Sequence, residues 1–137
     1  MEIIDFLIEE AFTTITLIVL IALYIGNVIA DKYKKYTDID TNGAINLMDK
    51  DIIILDVREA KERLDGHIKN DKHIPMASVK SKLSELDKDK TILVYCRSGN
   101  RSSHICATLA KNDFNSVYNL KGGLGAWKKA NLPTSNK

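Results

Sequence analysis

One short segment, Cys96-Arg97-Ser98-Gly99-Asn100-Arg101-Ser102-Ser103, brings a thiol together with two guanidinium groups, three hydroxyls and a glycine. A thiol is a nucleophile only as its thiolate, so the chemistry depends on whether the surroundings stabilise that anion. The segment follows Thr91-Ile92-Leu93-Val94-Tyr95, an apolar, β-branched run that predicts a buried strand. It precedes Ser102 to Lys111, where Ile105, Cys106, Leu109 and Ala110 recur at helical spacing. The thiol is therefore expected where a strand ends and a helix begins. Backbone N–H groups in such a turn can form an anion-holding nest, and the helix dipole adds positive potential. With Arg97 and Arg101 these effects should bring the Cys96 pKa below its ordinary range. Gly99 permits the backbone angles of a tight loop without a Cβ clash.

Loop length separates two chemistries. Four residues lie between Cys96 and Arg101, whereas cysteine phosphatases typically place five there and so cradle a whole phosphate group. A smaller cradle suits a sulfur substrate. A thiolate can attack the outer sulfur of a donor to give a cysteine persulfide, and a second thiolate or cyanide then removes that sulfur. Inward-pointing N–H groups suit the anionic terminal sulfur, and the step needs neither metal nor organic cofactor. Alternatives at these positions are a buried structural role for Cys96 and ordinary surface charges for Arg97 and Arg101. A cation at a helix start is unfavourable unless an anion offsets it, which assigns Arg101 to a substrate cradle.

The elements that must position this loop alternate. A linker or short strand over Tyr33–Asp40 leads to a helix from Thr41 to about Asp49 and a strand over Ile52–Asp56. A short helix over Glu59–Leu64 and a polar loop over Asp65–Lys72 follow. Ile74 begins a short strand or turn, and Ser78–Leu86 reads as a helix. After the thiol loop and its helix come a strand over Ser116–Leu120 and a last helix over Leu124–Ala130, while Thr134–Lys137 reads as a frayed tail. Strands alternating with helices imply an α/β fold with a mainly parallel sheet.

The N-terminal residues differ in kind. Residues 11–30 carry no formal charge, and as a helix they span about 30 Å, the thickness of a bilayer's hydrocarbon core. Glu2, Asp5, Glu9 and Glu10 precede them; Asp31-Lys32-Tyr33-Lys34-Lys35 follows. Positive residues prefer the cytoplasmic side, so the N-terminus is expected outside and the domain inside. A cleaved signal peptide would need a basic start, which is absent; an interfacial helix would need a polar face; and a small domain has little room for a helix apolar all round. The division expected is an anchor and juxtamembrane segment over residues 1–35 and one domain over 36–137. The chain's net +2 conceals −4 in residues 1–30 and +6 in the remainder, which holds all twenty basic residues and fourteen acidic ones. Two cysteines cannot make a disulfide framework, and ten residues along one helix would set them about 15 Å apart, so both are expected reduced, as in the cytosol.

Four motifs in order resemble the rhodanese family of sulfurtransferases. They are Asp56-Val57-Arg58-Glu59, Gly66-His67-Ile68 with Ile74-Pro75 after it, the Cys96 loop, and Gly122-Gly123-Leu124-Gly125-Ala126-Trp127. Together they cover about residues 36–133. The resemblance implies a three-layer rhodanese-like fold behind one transmembrane helix, with Cys96 as the persulfide carrier and Arg97, Ser98, Gly99, Asn100, Arg101 and Ser102 as the substrate-binding loop. It implies thiosulfate or a persulfide as donor and a thiol, cyanide or protein acceptor; no cofactor, metal or nucleic acid is expected. Asp56, Arg58 and His67 are read as holding loops in place, Cys106 and Trp127 as core, and Gly122-Gly123 as a close approach to the active loop. Asn70-Asp71, where Gly-Ala is common, and His73, where Asn is common, depart from the family pattern. A non-catalytic docking module and a redox or arsenate-handling thiol enzyme are the other readings.

Overall fold

Side chains on successive strand residues point to opposite sheet faces, and that alternation builds two separate cores in this protein. In the computed structural model, which describes residues 1–137, Leu55, Ile92 and Val94 face one side while Ile54, Leu93 and Tyr95 face the other. Five parallel strands run in the order β1-β5-β4-β2-β3: β1 Thr37–Ile39, β2 Ile53–Asp56, β3 Lys72–His73, β4 Ile92–Tyr95 and β5 Val117–Leu120. A parallel sheet has both faces covered. One face packs against α3 (Asn100–Lys111) and a kinked 3-10 segment (Met76–Glu85), the other against α2 (Thr41–Met48) and α4 (Gly123–Lys129). This is a three-layer α/β fold, as the resemblance implied.

Several boundaries differ from the sequence expectation. The third strand lies at Lys72–His73, before Ile74, because Leu55 and Asp56 of β2 pair with those two residues. The segments expected as helices after Glu59 and Ser78 are 3-10 turns, Ala60–Asp65 and Met76–Glu85. The tail is not frayed: His67 and Ser135 exchange two backbone hydrogen bonds of 2.9 and 2.8 Å, and the His67 ring Nε2 lies 2.7 Å from the Lys137 carbonyl. Gly66, at φ 107, lies against Thr134 in the same contact.

The chain divides into two units, Met1–Lys34 and Lys35–Lys137. The first is one helix, α1 (Glu2–Lys32), longer at both ends than the uncharged stretch. It is long and apolar enough to cross a membrane. Its threonine hydroxyls are satisfied internally: Thr13 and Thr14 donate to the Glu10 carbonyl and Thr16 to that of Phe12, at 2.8–2.9 Å, which lowers the cost such groups would have in an apolar environment.

Candidate active site

Strand β4 ends at Tyr95, and α3 begins at Asn100 with Gly99 before it in the left-handed region, φ 99. Cys96 stands between them, fully buried. Its Sγ receives the Gly99 N–H at 3.1 Å and lies 3.4 Å from both the N and the Oγ of Ser102. Burial pushes the Cys96 thiol up, but the Ser102 hydroxyl and the N–H groups of Ser102, Gly99 and Ser98 outweigh it, and the net shift is downward. The nest inferred from sequence is present, and it is built from dipoles.

The loop is held from outside by α4. The Leu124 and Gly125 N–H groups donate to the carbonyls of Cys96 and Arg97 at 2.8 and 3.0 Å. That approach requires glycine at 123: its φ is 58, and a Cβ there would fall against the Cys96 carbonyl and 2.6 Å from the Arg97 carbonyl carbon. From inside, Asn119 of β5 accepts the Ser102 hydroxyl hydrogen bond at 2.6 Å while its amide nitrogen donates to Asp38 at 2.9 Å. Since Asp38 can only accept, it fixes which way the Asn119 amide points. Sequence reading missed Asn119; its signal was a buried polar residue interrupting the apolar face of β5, where Val117 packs on α3.

The other loop residues separate into two groups. Ser98, Gly99 and Ser102 direct donors at the sulfur. Arg97 is exposed and, with Arg58, Glu62 and Lys128, lines a cleft of about 250 Å³. Asn100 is exposed at the start of α3 and accepts the Ser103 hydroxyl at 2.7 Å through its carbonyl. Both terminal nitrogens of Arg101 donate to the Glu62 carboxylate, at 2.8 and 2.7 Å. The anion offsetting this cation is the protein's own.

Behind the loop lies a buried charge cluster. Asp56 takes three hydrogen bonds from the Arg58 side chain, at 2.9–3.2 Å, and one from Arg63 at 2.7 Å. Arg63 also grips Asp71 at 2.7 and 3.0 Å, and the Tyr95 hydroxyl donates to Asp71 at 2.6 Å. Burial pushes Asp71 up; Arg63 and Tyr95 outweigh it and hold its carboxyl below the usual range. Two carboxylates and two guanidiniums neutralise one another here, which is what permits their burial. Asp71 joins Tyr95, the residue before Cys96, and Arg63 to the loop between β2 and β3. His67 lies 3.1 Å from Asp71 and His73 2.6 Å from the Arg58 carbonyl, so both rings hold loops.

The family described as "Rhodanese-like domain" matches residues 42–130. A sulfurtransferase from Allochromatium vinosum is 37% identical over 84 residues, 61% of this chain and 78% of that protein. The thiosulfate sulfurtransferase GlpE of Coxiella burnetii is 39% identical over 87 residues, 64% of this chain and 80% of its own. The solution structure of the polysulfide-sulfur transferase homodimer from Wolinella succinogenes superposes with a TM-score of 0.68 at 27% identity, covering 85% of this chain and 89% of that one.

Proposed function

The chain belongs to the rhodanese-like family, and on that basis we propose that it is a membrane-tethered sulfurtransferase carrying a persulfide on Cys96. The observation that supports this most is the convergence of the Gly99 and Ser102 N–H groups and the Ser102 hydroxyl on one buried sulfur. In the first half-reaction the Cys96 thiolate attacks the outer sulfur of thiosulfate or a persulfide. The donor's S–S bond breaks, sulfite or a thiolate leaves with the electron pair, and Cys96 becomes Cys–S–S⁻. In the second, a thiolate or cyanide attacks the terminal sulfur and Cys96 is released as thiolate. The N–H groups hold negative charge throughout and need no reorganisation between steps. The loop Arg97–Ser102 provides the donor site, and the acceptor is a small thiol, cyanide or a protein thiol.

Residues 1–35 form the anchor and juxtamembrane segment in this reading, residues 36–137 the catalytic domain. Residues 11–30 span the bilayer with the N-terminus outside, leaving Cys96 in the reducing cytoplasm. Intact-mass spectrometry of the detergent-solubilised chain after exposure to thiosulfate or a persulfide tests the reaction. The expected result is a gain of one sulfur, lost on adding cyanide and absent in Cys96→Ser. No gain with either donor would favour the docking module. A C-terminal fluorescent reporter that is bright and a C-terminal phosphatase reporter that is silent are expected for the orientation; a mature chain starting near Asp31 would overturn the anchor.

A further inference from the structure

Arg101 adjoins Ser102, whose N and Oγ touch the Cys96 sulfur, and its guanidinium feels the Cys96 charge. It is also engaged twice over by Glu62. That carboxylate is itself held in place: Glu62 Oε2 accepts the Glu59 N–H at 2.8 Å, half of a reciprocal capping arrangement at the start of the first 3-10 turn. Glu62 therefore does not have to be ordered when it meets Arg101; the turn presents it. It also lines the cleft that Arg97 opens onto. The pair is partly exposed, with side-chain exposures of 34% for Arg101 and 23% for Glu62, so an incoming solute can reach it.

We infer that Glu62 is a specificity-determining residue that competes, as an internal carboxylate, for the guanidinium an anionic donor would otherwise use. This rests on the sulfur-transfer reading for the choice of donors, but the selectivity itself is a property of Cys96 toward any electrophile. A dianion such as thiosulfate must either displace Glu62 from Arg101 or bind beside a neutralised pair. A neutral reagent meets neither obstacle. The Arg101 side chain feels Glu62 first and the Cys96 charge as well, and both raise its pKa; Glu62 is pulled down to about 2, mainly by the Arg101 hydrogen bond, and so stays ionised at neutral pH.

Two alkylating agents of nearly equal size, iodoacetate and iodoacetamide, test this on the full chain in detergent. Each forms an S–C bond with the Cys96 thiolate and releases iodide; only the first is an anion. In Glu62→Gln the side-chain oxygen still accepts the Glu59 N–H, so the turn keeps its cap while the charge is lost. The ratio of iodoacetate to iodoacetamide rates at Cys96 should rise about three- to five-fold, the size expected for one partly exposed charge pair. In an Arg101→Gln background the same substitution should change the ratio by less than about half as much, as expected for coupled residues. An unchanged ratio in Glu62→Gln would overturn the inference. So would an equal rise in both backgrounds, since that is a general field effect and not competition for Arg101. If neither thiosulfate nor a persulfide loads sulfur but the ratio moves as stated, the sulfurtransferase reading fails while the role of Glu62 stands.

Discussion

Cys96 and Cys106 lie in the same core, both fully buried, yet their thiols are pushed in opposite directions. Burial dominates at Cys106, reinforced by the Asp38 charge, and its pKa is raised. At Cys96 the same burial is outweighed by donors and the pKa is lowered. The difference lies in what the backbone has left over. Mid-helix, around Cys106, N–H groups are spent on helical hydrogen bonds, and the sulfur faces the Tyr118 carbonyl at 3.6 Å, an acceptor that favours S–H over S⁻. At a strand-to-helix junction the first N–H groups of the helix have no intrahelical partner, and at Cys96 they turn to the sulfur. The direction of the shift is thus set by the surplus of donors at a chain reversal, not by depth.

The sharpest way to break this contrast is competitive labelling. At neutral pH iodoacetamide should modify Cys96 at least about a hundred-fold faster than Cys106, because thiolate fraction changes ten-fold per pKa unit; peptide mapping after partial reaction measures it. Cys96→Ser should abolish sulfur transfer and Cys106→Ala should leave most of it. Comparable labelling of the two thiols would remove the distinction.

Next in size is Gly123→Ala. The added methyl meets the Cys96 and Arg97 carbonyls at a positive φ, so either α4 withdraws from the loop or the loop moves and the donors lose their aim. A destabilisation of roughly 2 kcal/mol and a raised Cys96 pKa are expected. Gly125→Ala is the control, since its Cβ would sit 3.3 Å from the Arg97 carbonyl oxygen at ordinary backbone angles, and it should be far milder. Equal effects on chemical denaturation and on thiol titration would show that the close approach at 123 is unimportant.

Ser102→Ala should raise the Cys96 pKa by removing the hydroxyl donor while keeping the backbone one. Alkylation rate against pH reads the shift. Asn119→Ala should act through the same hydroxyl, so its effect should largely vanish when Ser102 is already alanine; independent effects would separate Asn119 from the site.

Much of this site was legible in the sequence because it depends on local chain geometry. A β-branched run, a cysteine, a glycine and then a helical period dictate a strand, a reversal and a helix whichever neighbours surround them, and the nest follows. The close approach of Gly122-Gly123 was also readable, since two adjacent glycines before a helix have few other uses. What stayed hidden were partners distant in the chain. Glu62 meets Arg101 across 39 positions and Tyr95 meets Asp71 across 24; nothing in the spacing of either pair announces it. The short β3 was misplaced by two residues because its pairing to β2, and no propensity of its own, defines it. The C-terminal residues looked frayed for the same reason: their order comes from His67, far away in sequence.

The smallest expected effect carries the contrast between the two thiols into stability. Both have an ordinary value of 9.0. Cys96, lowered in the folded state, contributes stability that is fully present above pH 9.0 and lost as pH falls through its folded pKa. Between that value and 9.0 the folded chain binds fewer protons than the unfolded one, so stability rises with pH. Cys106, raised in the folded state, has the opposite sign. Above pH 9.0 the unfolded thiol ionises while the folded one keeps its proton, so stability falls by up to about 1.4 kcal/mol per pH unit. Lysines and tyrosines titrate in the same range, which makes the informative quantity the difference between each variant and the parent. Cys96→Ser should flatten the rise below pH 9.0, Cys106→Ala should flatten the fall above it, and the cavity left by the alanine should add only a pH-independent offset. Urea unfolding of the solubilised chain at several pH values measures both slopes. Slopes of the same sign for the two variants would mean that burial alone governs both sulfurs, and the donor surplus at the Cys96 junction would no longer explain its reactivity.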